Sequence, residues 1–547
     1  MGDDFDYVIV GAGSAGCILA NRLSADPQTR VCLLEAGPKD NRPWVHWPVG
    51  TLFLLRGRKR NWQFDTAPQA ELGDRELYWP RGRMLGGSSS MNGMIYIRGH
   101  ARDYDHWAEL GNRGWGWNDV LPLFKREECF EGGANDYHGG EGTLRVSGPR
   151  YVNPLSEAFV AACGEVGIPH NDDFNGPVQE GAGYYQVTIH EGKRWSSARA
   201  HLTDDVLARP NLTVLTGAHA TRVLCREGRA TGVAYRQRGR DLEARARREV
   251  IVAAGAVQSP QLLMLSGIGP AAELTPHGIP LVRELPGVGG NLQDHLDIMI
   301  NVRSRTRHSF AIAASAVPRD TLHMLRYAFR KRGLFSSNIA EAGAFVRTRE
   351  DLEVPDVQYH MICALLEDHG RKLHYGYGYS LHCCPLRPYS RGRIGLRSAD
   401  PMAYPNIDAG YLSDDRDMET MLAGLRIGRR ILGATPFDRH RKREIAPGEE
   451  VQDESALREF VRQRAETIYH PVGTCKMGHD DMAVVDDRLR VHGLEGLRVA
   501  DASIMPTLVG GNTNAASIMI GGKAADMILE ERRATDTPEP AAAAAAG

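Results

Sequence analysis

The sequence predicts an α/β protein, α+β overall, with a nucleotide-binding unit at its start and room for a second domain. Three observations carry this. The first 35 residues alternate apolar strand, glycine-rich turn, helix and apolar strand. Later stretches repeat the strand-into-helix pattern at EVIVAAGAVQSPQLLML and LRVADAS. A chain of 547 residues also exceeds what one hydrophobic core holds, which argues for two domains or one large composite unit.

Taken in order, FDYVIV (5–10) is a short apolar run of the kind buried on both faces of a parallel sheet. It leads into Gly11-Ala12-Gly13-Ser14-Ala15-Gly16 and then the helical pattern CILANRLSAD. This G-x-G-x-x-G lies between strand and helix, where Gly11 permits the tight turn, Gly13 admits a pyrophosphate and Gly16 lets helix and strand pack. The phosphates would sit on the helix N-terminus, where free N–H groups and the dipole favour anions. The next strand, RVCLLE, ends in Glu35, at the roughly 20-residue spacing from which an acidic residue takes ribose hydroxyls. The unit is Rossmann-like. Its motif does not separate FAD from NAD, although its place at the extreme N-terminus tilts towards FAD.

PRGRMLGGSSSMNGMIYIRGHARDYD (80–105) cannot hold a regular element through Gly86-Gly87-Ser88-Ser89-Ser90, but can lay its backbone against a flat or anionic ligand. EVIVAAGA reads as a strand entering a short helix that stops at Ser266-Gly267. The net charge of −2, without basic blocks, points away from nucleic acid. Nine cysteines without a C-x-x-C pair fit free thiols in a reducing compartment. The opening MGDDFDYVIV leaves no expectation of a signal peptide, and no apolar run reaches the roughly 18 residues of a spanning helix. A cytoplasmic protein is expected, with peripheral contact at the cytoplasmic face of the inner membrane left open. Near the C-terminus, YHPVGTC (469–475) places His470 in a bland turn. The residues alone leave it open as metal ligand, general base, redox neighbour or satisfied structural histidine. No H-x-H, H-E-x-x-H or Cys/His cluster lies beside it, which argues against a metal.

These blocks, with PGVGGNLQDH (286–295), SRGRIGLRSADP (390–401), YHPVGTCKMG (469–478) and LRVADASIMPTLVGGNTNAA (497–516), resemble the glucose–methanol–choline family of FAD-dependent oxidoreductases from about Tyr7 to Leu529. GYYQVT, RWSSARAHL, LLEDHGRK and AETIYHPVGTC are similar to the bacterial alcohol dehydrogenases of alkane degradation, with polyethylene-glycol and choline dehydrogenases as near relatives. The resemblance implies non-covalent FAD, a small primary alcohol as substrate and a quinone or other electron acceptor. It leaves choline dehydrogenase and oxygen-using alcohol oxidase as alternatives, with an FAD-containing hydroxynitrile lyase as the alternative of another class. It also implies that His470 faces the flavin and takes the hydroxyl proton, with Asn514 of Asn512-Thr513-Asn514 donating to the oxygen.

For FAD the resemblance implies Gly11, Gly13, Ser14, Ala15, Gly16, Glu35 and Ala36 at the ADP part. Arg83, Gly86, Gly87, Asn92, Gly93 and Met94 would line the flavin side, and Ala220 to Val223 would touch adenine. Asp501, Ala502 and Thr513 complete the set. Choline oxidases of the family tether FAD through a histidine where this chain has Met91, so covalent attachment is not expected. Two departures stand out: Gly521-Gly522 inside the last helix, where glycine costs about 1 kcal/mol against alanine and puts local stability in doubt, and Ala516 in place of a proline.

The resulting organisation assigns 1–155, 196–311 and 467–533 to an FAD-binding domain and 156–195 with 312–466 to a sheet-and-helix substrate domain over the flavin. Residues 534–547 read as a low-complexity tail. Glu341 is a candidate carboxylate for a trimethylammonium group, and as a bare inference an exposed glutamate. Leu334, Phe335, Leu365 and Leu366 are core or pocket wall. LHMLRYAFRKRGLF (322–335) interleaves apolar and basic residues, as a membrane-surface helix does. The sequence is silent on oligomeric state.

Overall fold

The computed structural model describes residues 4–372 and 374–536. Its first sheet has seven strands in the order Leu212–Thr216, Val31–Glu35, Asp4–Val10, Arg240–Val252, Arg229–Gln237 and Ala218–Arg226, with Leu497–Val499 also paired to Arg240–Val252. The four strands Leu212–Thr216, Val31–Glu35, Asp4–Val10 and Arg240–Val252 run parallel, with Val8 between Cys32 and Val250 and Ile9 between Leu33 and Ile251. Val8, Ile9, Leu33 and Ile251 are wholly buried, each side chain contributing about 1.5–3 kcal/mol. Helix Ser14–Leu23 leaves this sheet at Gly13, and the long helix Asn514–Asp536 packs across it.

That packing explains the glycines expected to weaken the last helix. A Cβ on Gly521 would lie 2.7 Å from the Cα and carbonyl oxygen of Ala15, and one on Gly522 would sit 3.2 Å from Ile18. The helix is continuous there, because close approach to Ser14–Leu23 offsets the propensity cost. It runs to Asp536, three residues into the expected tail; 537–547 lie outside the described residues.

The second sheet is antiparallel throughout, in the order Arg441–Ala446, Leu296–Ser304, Gly378–Pro385, Val357–Ile362, Ala342–Val346 and Gly181–Tyr184, with Glu466–Thr467 beside the start of Leu296–Ser304. Leu296–Ser304 was expected in the FAD-binding segment 196–311 and instead opens this sheet, so the chain crosses over near residue 295 and not at 311. Nothing in composition marks the crossing: NLQDHLDIMINV passes from loop to buried strand without a linker.

Alternation along these strands sets what each face does. Tyr359 points to helix Asp415–Gly433, where its hydroxyl donates to the Gly424 carbonyl at 2.6 Å. Its neighbours His360 and Ile362 point the other way, as does His382, which is paired directly with His360 across the strands. That second face roofs a cavity whose floor is the C-terminal edge of the first sheet.

Candidate active site

The cavity has a volume of about 360 Å³ and runs from the first strand–helix turn to the His-Pro turn at 470. At one end, Gly11 has φ +98°, and a Cβ there would lie 2.5 Å from the Ala253 carbonyl oxygen. A Cβ on Gly16 would meet the Gly11 oxygen at 1.9 Å, so both positions require glycine. Gly13 caps helix Ser14–Leu23 without a side-chain hydrogen bond, so no side chain takes up the N–H groups of the first turn, whose residues Ser14 and Ala15 line the cavity. Beside it the Glu35 carboxylate accepts from Gly37 N–H at 2.7 Å and Ala12 N–H at 3.1 Å, and burial pushes its pKa up to about 7. His219 stands further along with Nδ1 buried and without a partner among the described residues. Helix N–H groups, a carboxylate that can accept from ribose hydroxyls and an orphan ring nitrogen are groups suited to a dinucleotide.

At the other end the His-Pro turn is held under tension. Tyr469 adopts φ +74°, a conformation costing on the order of 1–3 kcal/mol for such a residue. It is fixed by its N–H to Thr467 Oγ1 (2.8 Å) and by Arg81, which donates to its carbonyl at 2.7 Å. Asp294 secures the next residue: its Oδ1 accepts the His470 backbone N–H at 2.7 Å, while Oδ2 takes the hydroxyls of Tyr411 and Thr467, each at 2.5 Å. Burial pushes the Asp294 carboxyl up to about 6.

The His470 ring is thereby aimed into the cavity, with Nδ1 2.9 Å from His295 Nδ1 and Nε2 3.2 Å from Asn512 Nδ2. Burial first, then the nearby His295, His360 and Arg81, hold its pKa well below the ordinary 6.5, so the imidazole is neutral. His382 behaves oppositely: burial disfavours its charge, but Asp297 at 2.5 Å from Nδ1 outweighs burial and raises the pKa. A neutral imidazole beside a side-chain amide can take a proton from a hydroxyl while the amide supports the oxygen.

The GMC oxidoreductase family matches this chain over residues 5–297 and again over 388–521. The chain belongs to the GMC oxidoreductases. The chain is 53% identical to an alcohol dehydrogenase (acceptor) of Pseudomonas putida over 96% of each protein. It is 45% identical to an oxygen-dependent choline dehydrogenase of Pseudomonas aeruginosa over 96% of this chain and 95% of that one. The crystal structure of pyridoxine 4-oxidase from Mesorbium loti superposes with a TM-score of 0.88 at 33% identity, covering 96% of this chain and 99% of that one. GMC oxidoreductases are FAD-binding flavoproteins, and the trough described above fits that cofactor.

In this GMC oxidoreductase the cavity wall includes Gly11, Gly13, Ser14, Ala15, Glu35, Ala36, Gly87, Asn92, Gly93, Met94, Asp501, Ala502 and Thr513, all expected from the sequence. Six expected contacts, Gly16, Arg83, Gly86, Thr221, Arg222 and Val223, are not part of it. Gly16 packs helix on strand, and Gly86 donates its N–H to the Ala12 carbonyl at 2.7 Å. Arg83 stacks over Trp62 at 4.5 Å. Val223 is buried in its strand with its N–H on Ser266, and the wall there is formed by Ala218, His219 and Ala220.

The expected His470–Asn514 pair is not the one brought together. Asn514 opens the last helix and turns back to accept the Ser14 hydroxyl at 2.7 Å, whereas Asn512, two residues earlier and before the helix begins, faces His470. Glu341 is fully buried, not exposed. It accepts from Ser156 at 2.5 Å and Asn153 N–H at 3.0 Å, with Ser337 as a third donor, and takes no part in the wall. Of the four ambiguous apolar residues, Leu366 lines the cavity and Leu334 is core.

Sequence reasoning missed Arg194, whose buried guanidinium clamps the Asn92 carbonyl (2.7 Å), the Asn92 side chain (2.8 Å) and Thr51 Oγ1 (2.7 Å), fixing the loop of the wall. It also missed His295, His360 and His382; the first closes the NLQDH block, but the other two carry no local signal.

Proposed function

We propose that this oxidoreductase converts primary aliphatic alcohols to aldehydes and passes the electrons to a quinone-type acceptor. The observation that carries the reading is the pairing of His470 Nε2 with Asn512 Nδ2 beside an apolar wall that lacks a carboxylate for a cationic substrate. Leu52, Ile95, Ile339, Ile362, Leu366 and Ile468 form that wall and belong to one hydrophobic cluster. Its carboxylates among the described residues are Glu35, at the nucleotide end, and Asp501, whose oxygens are taken by Gly255 N–H, Ser259 and Ser503 N–H. A trimethylammonium group would find no counter-charge there. The likeness to the Pseudomonas putida enzyme supports the alcohol and the separate acceptor.

FAD would be held by the Gly11–Gly16 turn, Glu35 and the Asn92–Met94 loop, and when bound supplies a hydride acceptor at its N5 atom. The chain's own residues do the rest. His470 Nε2 takes the hydroxyl proton, Asn512 donates to the oxygen as charge develops on it, and the isoleucine and leucine wall excludes water. Anaerobic titration with 1-octanol and with choline, followed by oxygen or a soluble quinone analogue, tests the reading. Bleaching by octanol with recovery on quinone supports it. Bleaching by choline alone moves the substrate to choline, and recovery with oxygen makes the enzyme an oxidase. A flavin that stays oxidised with every alcohol points to the lyase.

The cofactor is held without a covalent bond. Met91, in the wall where a tethering histidine would stand, has no nucleophilic nitrogen to offer. Acid precipitation is expected to release all of the flavin into the supernatant; yellow colour retained in the pellet would contradict this.

The protein also carries a surface suited to a lipid interface. None of the helices among the described residues is long and apolar enough to cross a membrane. Helix Val317–Arg330, however, exposes Leu322, Leu325 and Phe329 at helical spacing on one face, Phe329 at 83%, with Arg326 and Arg330 on the flank. Tyr327 on its inner face meets Trp47, and that neighbouring segment exposes Trp44, Trp47 and Phe53. Residues 41–60 and 321–335 hold nine lysines and arginines and no acid, in a chain of net charge −2. Apolar anchors ringed by cations match an anionic lipid surface. Co-sedimentation with vesicles rich in phosphatidylglycerol is expected, and Leu325→Ser with Phe329→Ser should abolish it while leaving activity with a soluble acceptor intact. Absence of sedimentation by the unaltered protein would refute the assignment.

A further inference from the structure

The hydrogen bonds around His470 have a direction that can be worked out atom by atom. The Leu386 carbonyl can only accept, so His295 Nε2, 2.9 Å away, carries a hydrogen. Burial lowers the His295 pKa to about 4, so the ring is neutral and has one hydrogen to place. His295 Nδ1 is therefore a lone pair. The atom facing it at 2.9 Å is His470 Nδ1, which must be the donor. The single hydrogen of neutral His470 thus sits on Nδ1, and Nε2 offers its lone pair to the cavity.

The other side of the ring agrees. Tyr185 donates its hydroxyl to the Tyr359 carbonyl at 2.7 Å, so its oxygen accepts from Gln358 Nε2 at 3.0 Å. The same amide nitrogen donates to Asn512 Oδ1 at 3.2 Å. With its oxygen so engaged, Asn512 turns Nδ2 to His470 Nε2, donor to lone pair. From Gln358 through Asn512, His470 and His295 to the Leu386 carbonyl, every bond points the same way.

We propose that His295 and Gln358 are positioning residues: His295 places the His470 hydrogen on Nδ1, and Gln358 orients the Asn512 amide, so that base and oxyanion donor face the same substrate oxygen. The consequence for rate rests on His470 being the base; the tautomer itself does not. Partners that orient metal-bound histidines are worth about 10–100-fold when removed, and the same order is expected for His295 acting on His470.

The test is ¹⁵N NMR of the FAD-bound protein with labelled histidine, combined with anaerobic flavin reduction by 1-octanol. The unaltered protein should show a hydrogen-bearing Nδ1 and a bare Nε2 on His470. His295→Leu removes the acceptor and should give mixed tautomers with reduction slowed about 10–100-fold. His295→Gln returns a side-chain oxygen and should restore the Nδ1 tautomer and most of the rate. Gln358→Met should slow reduction about tenfold without moving the hydrogen on His470, and it carries the test if His295→Leu does not fold. A hydrogen on Nε2 in the unaltered protein, or unchanged tautomer and rate in His295→Leu, would overturn the role of His295. An unchanged rate in Gln358→Met would overturn that of Gln358. Full activity in His470→Ala alongside the expected tautomer would instead remove the base reading.

Discussion

Replacing His470 with alanine is expected to slow anaerobic flavin reduction by 1-octanol by about 10²–10⁴-fold, the usual worth of a positioned general base. The loss should fall on the reduction step and leave flavin content unchanged, because the Gly11–Gly16 turn proposed to hold FAD lies at the other end of the cavity from His470. The pH dependence follows from the same ring. Its pKa lies well below 6.5, so the base is deprotonated at neutral pH, and titration of His470 should leave the rate of the unaltered enzyme independent of pH there. Acidification protonates the ring and removes the lone pair, so the rate falls only on the acid side of the ordinary histidine range. Stopped-flow reduction across pH reads both effects, and a His470→Ala enzyme within severalfold of the unaltered rate would show that the proton goes elsewhere.

The second large effect separates two asparagines that lie two residues apart. Asn512→Ala should cost about 10²–10³-fold in the reduction rate, as removing one oxyanion donor does. Asn514→Ala should leave the rate within severalfold. It strips the Ser14 hydroxyl of its acceptor, a hydrogen bond worth about 1 kcal/mol, at the turn that would hold the pyrophosphate, so its effect should show as weaker FAD retention. The reverse pattern would restore the pair expected from the family resemblance. The two outcomes differ in the same pair of measurements, reduction rate and flavin retention.

The Asn512–Asn514 ambiguity shows where sequence reading runs out. G-x-G-x-x-G, Glu35 and the His-Pro turn are local: their geometry is written into a few consecutive residues, and the structure places each at the cavity. Which asparagine of N-T-N faces His470 depends on where the last helix starts, and a shift of one residue there rotates the side chains by about 100°. His360 and His382 become neighbours only through strand register, with 21 residues between them in sequence and direct pairing in the sheet. Glu341 is misread because burial of a carboxylate needs partners brought from elsewhere; here Ser156 and Asn153 arrive from a distant helix start. Gly521 likewise reads as a helix weakness until Ala15 is seen against it. The contacts that set the chemistry are therefore the long-range ones, and the motifs supply the places where they converge.

The most direct test of the account is stopped-flow mixing of the FAD-bound protein with 1-octanol under argon, in parallel with 1-octanol deuterated at its carbinol carbon. Following the visible flavin absorbance, the account predicts full bleaching by both, severalfold slower with deuterium, because the carbinol hydrogen leaves as hydride in the step that His470 and Asn512 serve. A flavin that stays oxidised, with FAD bound and His470 intact, would contradict it.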